Sequence, residues 1–233
     1  MDKDLIIACD FAGKNECLDF LSAFGDEKPF VKIGMELFYS AGPEMVRELK
    51  ARGLRVFLDL KIHDIPNTAK KSMKVLSELG VDICNLHAAG GSAMMRAALE
   101  GLTRPDGTRP LLIAVTQLTS TNADTLRNEL LIQSGMEETV VSYAKNALSS
   151  GLDGVVCSPL EAPAIKAACG PKFIAVTPGV RFAGGDVGDQ SRIATPAKAR
   201  ELGSDFIVMG RPITAAADPV EAYRRARSEF LGI

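Results

Sequence analysis

Two hydrophobic periods alternate along this chain. Short apolar runs with the composition of buried strands begin near Leu5, Phe30, Arg55, Ile83, Leu111, Gly154, Phe173 and Phe206. Between them lie segments with helical spacing, such as Gly42 to Gly53, Asn67 to Gly80 and Ala162 to Gly170, each closing on a glycine that suits a helix C-cap. Strand runs that are apolar on both faces and alternate with helices predict βαβ units and a parallel sheet covered by helices. Eight such units within 233 residues predict a single-domain α/β fold, a (β/α)8 TIM barrel spanning residues 1–233. An open doubly wound sheet is the alternative, with usually fewer strands. The longest interval, Thr119 to Gly151, holds two helical stretches and reads as an elaborated crossover rather than a second domain.

Composition narrows the class. Hydrophobic residues make up 46% and charged residues 24% of the chain, the balance of an ordinary globule. A net charge of -2 with dispersed Lys and Arg offers no basic face for nucleic acid and no polybasic membrane anchor. No apolar stretch approaches the ~20 residues that cross a bilayer, and the acidic flanks of the first apolar run do not suit a signal peptide, so a cytoplasmic location is expected. Cys9, Cys17, Cys84, Cys157 and Cys169 are widely spaced and lack a Cys-x-x-Cys pair, which predicts buried reduced thiols rather than disulfides or a zinc site.

The candidate chemistry sits where charges interrupt apolar runs. In the third strand, alternation puts Asp59 and Lys61, and His63 if the strand extends that far, on the face opposite Leu58, Leu60 and Ile62. If the apolar set faces the helices, the aspartate and the lysine enter the barrel mouth, where unpaired charge costs several kcal/mol. Asp64 follows at the strand end, in the zone where barrel enzymes keep their catalytic groups. Lys32 on the second strand and Asp10 at the end of the first repeat the anomaly. A mutually neutralising ion pair would explain any one of these; a convergence of four or five at the C-terminal ends of strands one to three points to an active site. At the far side, Arg181 after strand seven, Gln190 closing the next loop, and Gly210 and Arg211 after strand eight suit a phosphate. Glycine-bearing loops at Glu100–Pro110 and Arg181–Gln190 are candidates for movement. His87 reads as a hydrogen-bonded wall residue. Walker, Rossmann, zincin and nucleophile-elbow motifs are absent.

Taken together, Leu58 to Thr68 (LDLKIHDIPNT), Phe30 to Phe38 (FVKIGMELF), Val115 to Thr121 (VTQLTST), Val176 to Arg181 (VTPGVR) and Met209 to Arg211 (MGR) closely resemble the bacterial orotidine 5'-phosphate decarboxylase family, from Ile6 to about Tyr223. The resemblance implies a homodimeric barrel that converts orotidine 5'-phosphate to uridine 5'-phosphate and CO2 in pyrimidine biosynthesis, with neither metal nor organic cofactor. It makes Lys61 the proton donor within a charge network of Lys32, Asp59 and Asp64. Asp10 and Lys32 would hold ribose hydroxyls, Thr119 the pyrimidine edge, Gln190 the link between base and phosphate, and Arg181, Gly210 and Arg211 the phosphate. Ile65 and Pro66 join the substrate contacts, while Asp64 and Thr68 would reach the neighbouring subunit's site. Cys9 stands where an aliphatic residue is more usual, and the Thr103–Arg109 loop is short for the family.

Two other readings compete. A sugar-phosphate decarboxylase or aldolase of the same superfamily shares Asp-x-Lys-x-x-Asp but needs Mg²⁺ and places a carboxylate where Lys32 stands; a lysine there repels a metal. A non-catalytic phosphate-binding barrel would not need Lys61 between aspartates.

Overall fold

A computed structural model of the chain describes residues 2–184 and 194–233. Eight parallel strands close into a barrel in sequence order: β1 (Asp4–Ala8), β2 (Phe30–Gly34), β3 (Val56–Ile62), β4 (Ile83–His87), β5 (Leu111–Val115), β6 (Gly154–Val156), β7 (Ile174–Thr177) and β8 (Phe206–Met209). β8 returns to pair with β1, so no sheet edge is left open. The predicted (β/α)8 class is the observed one.

The helices around it are α1 (Lys14–Ser22), α2 (Met35–Ala41), α3 (Pro43–Ala51), α4 (Pro66–Ser77), α5 (Gly91–Leu102), α6 (Met136–Ser149), α7 (Ala162–Cys169), α8 (Pro196–Glu201), α9 (Arg211–Thr214) and α10 (Pro219–Leu231). Two elements differ from the sequence pattern. The apolar run from Phe30 does not continue as a strand through Glu36, because β2 ends at Gly34 and Met35 opens α2. Of the two helical stretches expected between Thr119 and Gly151, the first is a single five-residue π turn, Thr125–Glu129, followed by Leu131 at φ 57°.

The strict alternation of strand residues sorts the core into two compartments. Leu5, Ile7, Val31, Ile33, Leu58 and Leu60 pack outward against the helices, whereas Ile6, Phe30, Phe57, Ile83, Ile113, Val176 and Phe206 fill the barrel. Phe30 and Phe206 meet edge-on at 6.0 Å between ring centroids. Moving up the interior by two residues per layer, Phe30 gives way to Lys32 and Gly34, Phe57 to Asp59 and Lys61, and Ile83 to Asn85 and His87. The barrel is therefore oily at its base and ionic at its C-terminal mouth.

The opposite end is held by its own acids. Asp82, Asp153 and Asp205 each precede a strand or lie at its start, and each accepts the first free N–H of a neighbouring strand, from Val56, Leu112 and Ala175 at 2.7, 2.7 and 2.8 Å. Each carboxylate is also paired with a cation, Lys50, Arg109 and Lys166 in turn. Asp4 binds Arg55 and Arg227 and so ties β1 to α10. These contacts serve the scaffold, as expected of the N-terminal face of a barrel.

Candidate active site

Three adjacent strands present the interior charges on one wall. Lys32 Nζ lies 2.9 Å from Asp10 Oδ1 and 3.4 Å from Asp59 Oδ2, and Lys61 Nζ lies 2.8 Å from Asp59 Oδ1. The result is a row of alternating sign, Asp10, Lys32, Asp59, Lys61. Asp59 and Lys32 are buried, at 7% and 9% exposure, while the Asp10 side chain opens to solvent. Gly34 leaves the room for this row, since a Cβ there would stand 3.1 Å from Asp10 Oδ1 and 3.2 Å from Lys32 Nζ.

Burial acts against both charges, and the partners overcome it. Desolvation would raise the Asp59 carboxyl, but Lys32, Lys61 and the hydrogen bonds from Lys61 and Asn85 hold it below the usual aspartate range. Desolvation would lower the Lys32 ammonium, but Asp59 and Asp10 hold it above the ordinary lysine value. Both groups are thus ionised across the physiological range. Paired in this way, the charges persist in an interior that would reject either one alone.

Lys61 departs from regular strand geometry. Its φ is 51°, a left-handed conformation that costs a non-glycine residue about 1–2 kcal/mol. The register between β3 and β4 slips between Leu58 and Ile62 at this point. The bulge ends the simple alternation on which the placement of His63 depends: His63 is exposed beyond the strand, its ring 5.6 Å from that of half-buried His87. Burial, followed by the neighbouring His63 and Lys61 charges, lowers the His87 imidazole and favours its neutral form.

A cavity opens above this wall, lined by Lys32, Asp59, Lys61, Gln117 and Thr119, with Phe57, Val156 and Val208 as its apolar floor. Thr119 is buried. Gly210 follows β8 close to β1, where a Cβ would come within 3.4 Å of that of Ala8 and 4.0 Å of Asp10 Oδ2. Arg211 is exposed at the start of α9. That helix has four residues, its Ile213 and Thr214 N–H groups donate to the Gly210 carbonyl at 2.8 and 3.0 Å, and the Arg211 guanidinium is what it offers an anion. Arg181 folds its guanidinium onto the Val180 carbonyl at 2.9 Å. Gln190 lies outside the described residues.

The loop after β3 is exposed. The Asp64 carboxylate accepts the Ile65 N–H at 2.7 Å, and no ion pair joins it to Lys61 among the described residues. Ile65 is 67% exposed, Pro66 opens α4, and Thr68 is exposed on its first turn. Within one chain, then, the structure brings Asp10, Lys32, Asp59, Lys61 and Thr119 together and leaves Asp64, Ile65, Pro66 and Thr68 facing outward. The sequence reading missed Asn85, Gln117 and Gly34. Asn85 had a signal, a polar residue at an interior position of an otherwise apolar strand.

A closed barrel with an ionic row and a cavity at its C-terminal mouth places the protein among the (β/α)8-barrel enzymes. The model of the orotidine 5'-phosphate decarboxylase / HUMPS family matches residues 3–226, and the chain belongs to that family. It is 54% identical over 236 aligned residues to the orotidine 5'-phosphate decarboxylase of Bacillus cytotoxicus and 53% identical to that of Bacillus mycoides, covering 100% of this chain and 99% of each relative. The crystal structure of orotidine 5'-phosphate decarboxylase from Lactobacillus acidophilus superposes with a TM-score of 0.88 at 45% identity, over 98% of this chain and 99% of that one.

Asp59 offers a direct check on the electrostatics. A carboxyl whose folded-state pKa is depressed stabilises the fold above its ordinary value of 3.8 and loses that contribution as pH falls through the folded-state value. Asp59→Asn should therefore cost about 3 kcal/mol at neutral pH, by leaving the buried Lys32, and Lys61 beside it, without the carboxylate they share, and the difference from wild type should shrink below the ordinary aspartate value. Urea unfolding across pH reads this; a pH-independent difference would contradict it.

Proposed function

We propose that the protein decarboxylates orotidine 5'-phosphate to uridine 5'-phosphate and CO2, and that the Lys61 ammonium stabilises and protonates the carbon from which CO2 departs. The observation that carries this reading is a lysine held against a buried carboxylate at the rim of the cavity, in a chain of this family.

Breaking the C6–carboxylate bond leaves its electron pair in the plane of the pyrimidine ring, where the π system cannot accept it. A fixed ammonium beside C6 stabilises that pair and then supplies the proton that ends the reaction, and the amine is reprotonated from solvent. No electron carrier is required. Asp59, beside the departing carboxylate, adds repulsion: two like charges ~4 Å apart at an effective dielectric of 20 interact by about 4 kcal/mol. The strongest enzymes lower their barriers by ~20 kcal/mol, so stabilisation of the carbanion outweighs ground-state stress. Asp10 and Lys32 are assigned to the ribose hydroxyls, Thr119 to the pyrimidine edge, and Arg181, Gln190, Gly210 and Arg211 to the phosphate. The phosphate's binding energy would be used to organise the site around the reacting carbon.

The active unit in this reading is a cytoplasmic homodimer in which Asp64 and Thr68 complete the partner's site, with Ile65 and Pro66 among the substrate contacts. The outward placement of these residues supports it, as does an Asp64 that leaves Lys61 to Asp59. Lysine at position 32 argues against a metal-held enediolate, so activity is assigned to the protein without Mg²⁺.

Purified, chelator-treated protein given orotidine 5'-phosphate should show the falling ultraviolet absorbance of pyrimidine decarboxylation. Lys61→Ala should lose turnover by several orders of magnitude and retain uridine 5'-phosphate binding. Absence of any absorbance change in the wild type, or unchanged turnover in Lys61→Ala, would defeat the reading. Specific activity should also fall on dilution as the dimer dissociates; constant activity down to concentrations where sedimentation finds only monomer would remove the shared site.

A further inference from the structure

One buried polar side chain has no task in the chemistry above. Asn85 stands inside the barrel on β4 at 1% exposure. Its Oδ1 accepts the backbone N–H of Lys61 at 2.8 Å, and its Nδ2 donates to Asp59 Oδ1 at 2.6 Å. That carboxylate oxygen also receives the Lys61 ammonium at 2.8 Å. Only this orientation of the amide is chemically consistent, because a flipped amide would set its NH2 against the Lys61 N–H and its oxygen against the carboxylate.

The contacts form a closed circuit. Asn85 grips the backbone of Lys61 at one end and, through Asp59, its ammonium at the other. The backbone it grips is the left-handed one at φ 51°, where the β3–β4 register slips between Leu58 and Ile62. A bulged strand leaves its extra residue outside the ladder. The Asn85 side chain supplies the acceptor for that N–H, on the strand next to the bulge.

We propose that Asn85 is a positioning residue: it latches the left-handed Lys61 and the Asp59 carboxylate together and so sets where the Lys61 ammonium stands in the cavity. This rests on the assignment of Lys61 as proton donor. Asn85 touches no reacting atom; it acts through two groups that do. Without it, the Lys61 N–H loses the acceptor that holds it in the bulge, and Asp59 loses one of the donors that aim its Oδ1. A displacement of about 1 Å in a reacting group costs on the order of 100-fold in rate, whereas binding of the distant phosphate does not depend on it.

Two variants test the latch, Asn85→Ala and the near-isosteric Asn85→Asp, which keeps an acceptor for the Lys61 N–H and replaces the amide donor by a second carboxyl that must share a proton with Asp59 and so weakens its hold on the Lys61 ammonium. In Asn85→Ala, kcat should fall by about 10- to 100-fold while affinity for uridine 5'-phosphate stays within about threefold. Hydrogen exchange of the Lys61 amide, followed by NMR, should accelerate by about tenfold or more relative to its β3 neighbours. In Asn85→Asp that amide should stay protected while kcat still falls by about tenfold with nucleotide affinity kept. An unaltered kcat, a nucleotide affinity that falls in step with kcat, or a Lys61 amide still protected in Asn85→Ala would each overturn the proposal. If Asn85→Ala does not fold, the Asn85→Asp measurements decide it alone. Wild-type protein that failed to decarboxylate orotidine 5'-phosphate would instead defeat the assignment of Lys61, and the exchange measurement would still decide whether the latch exists.

Discussion

A carboxylate buried between two ammoniums is the constraint on which the rest of this site depends. Asp59 stands in the barrel interior at 7% exposure, where it persists because Lys32 and Lys61 approach its two oxygens at 3.4 and 2.8 Å. The dependence runs both ways: Lys32 stays charged in the same interior because Asp59 and Asp10 flank it. Neighbouring features follow from this packing of charge. Gly34 leaves the space, the β3 bulge turns Lys61 back toward the carboxylate, and Asn85 holds the turned backbone.

The barrel keeps its two tasks at opposite ends. At the base, Asp82, Asp153 and Asp205 are each used up by a strand N–H and a cation, and Phe30 and Phe206 plug the interior. At the mouth, the same alternation of side chains delivers Lys32, Asp59 and Lys61 into a cavity. The charges that enter the barrel interior, Lys32, Asp59 and Lys61, stand at the end where barrel enzymes keep their chemistry.

Much of this was legible in the sequence. Parallel strands covered on both faces read as near-continuous apolar runs, so all eight were found, and charges inside such runs stood out as Asp59, Lys61 and Lys32. What failed to show depends on contacts across strands. Phe30 to Glu36 reads as one strand run, and nothing local says that Gly34 ends the strand and Met35 starts a helix. The left-handed Lys61 has no residue signature, since glycine or asparagine is what such a backbone normally selects. Asn85 appears as a lone polar residue until β3 is laid beside β4. Asp64, which the resemblance assigned to a neighbouring subunit's site, lies in an exposed loop, accepts the Ile65 N–H and makes no ion pair with Lys61 among the described residues.

The claim that Asp59 and Lys61 act as one unit is tested most directly by a double-mutant cycle on kcat/KM for orotidine 5'-phosphate, with Asp59→Asn, Lys61→Ala and the two combined. If Asp59 works chiefly by fixing and charging Lys61, the double variant should be much less impaired than the product of the two single losses, with most of the cost of losing Asp59 absorbed. Losses that multiply independently in the double variant would contradict the account.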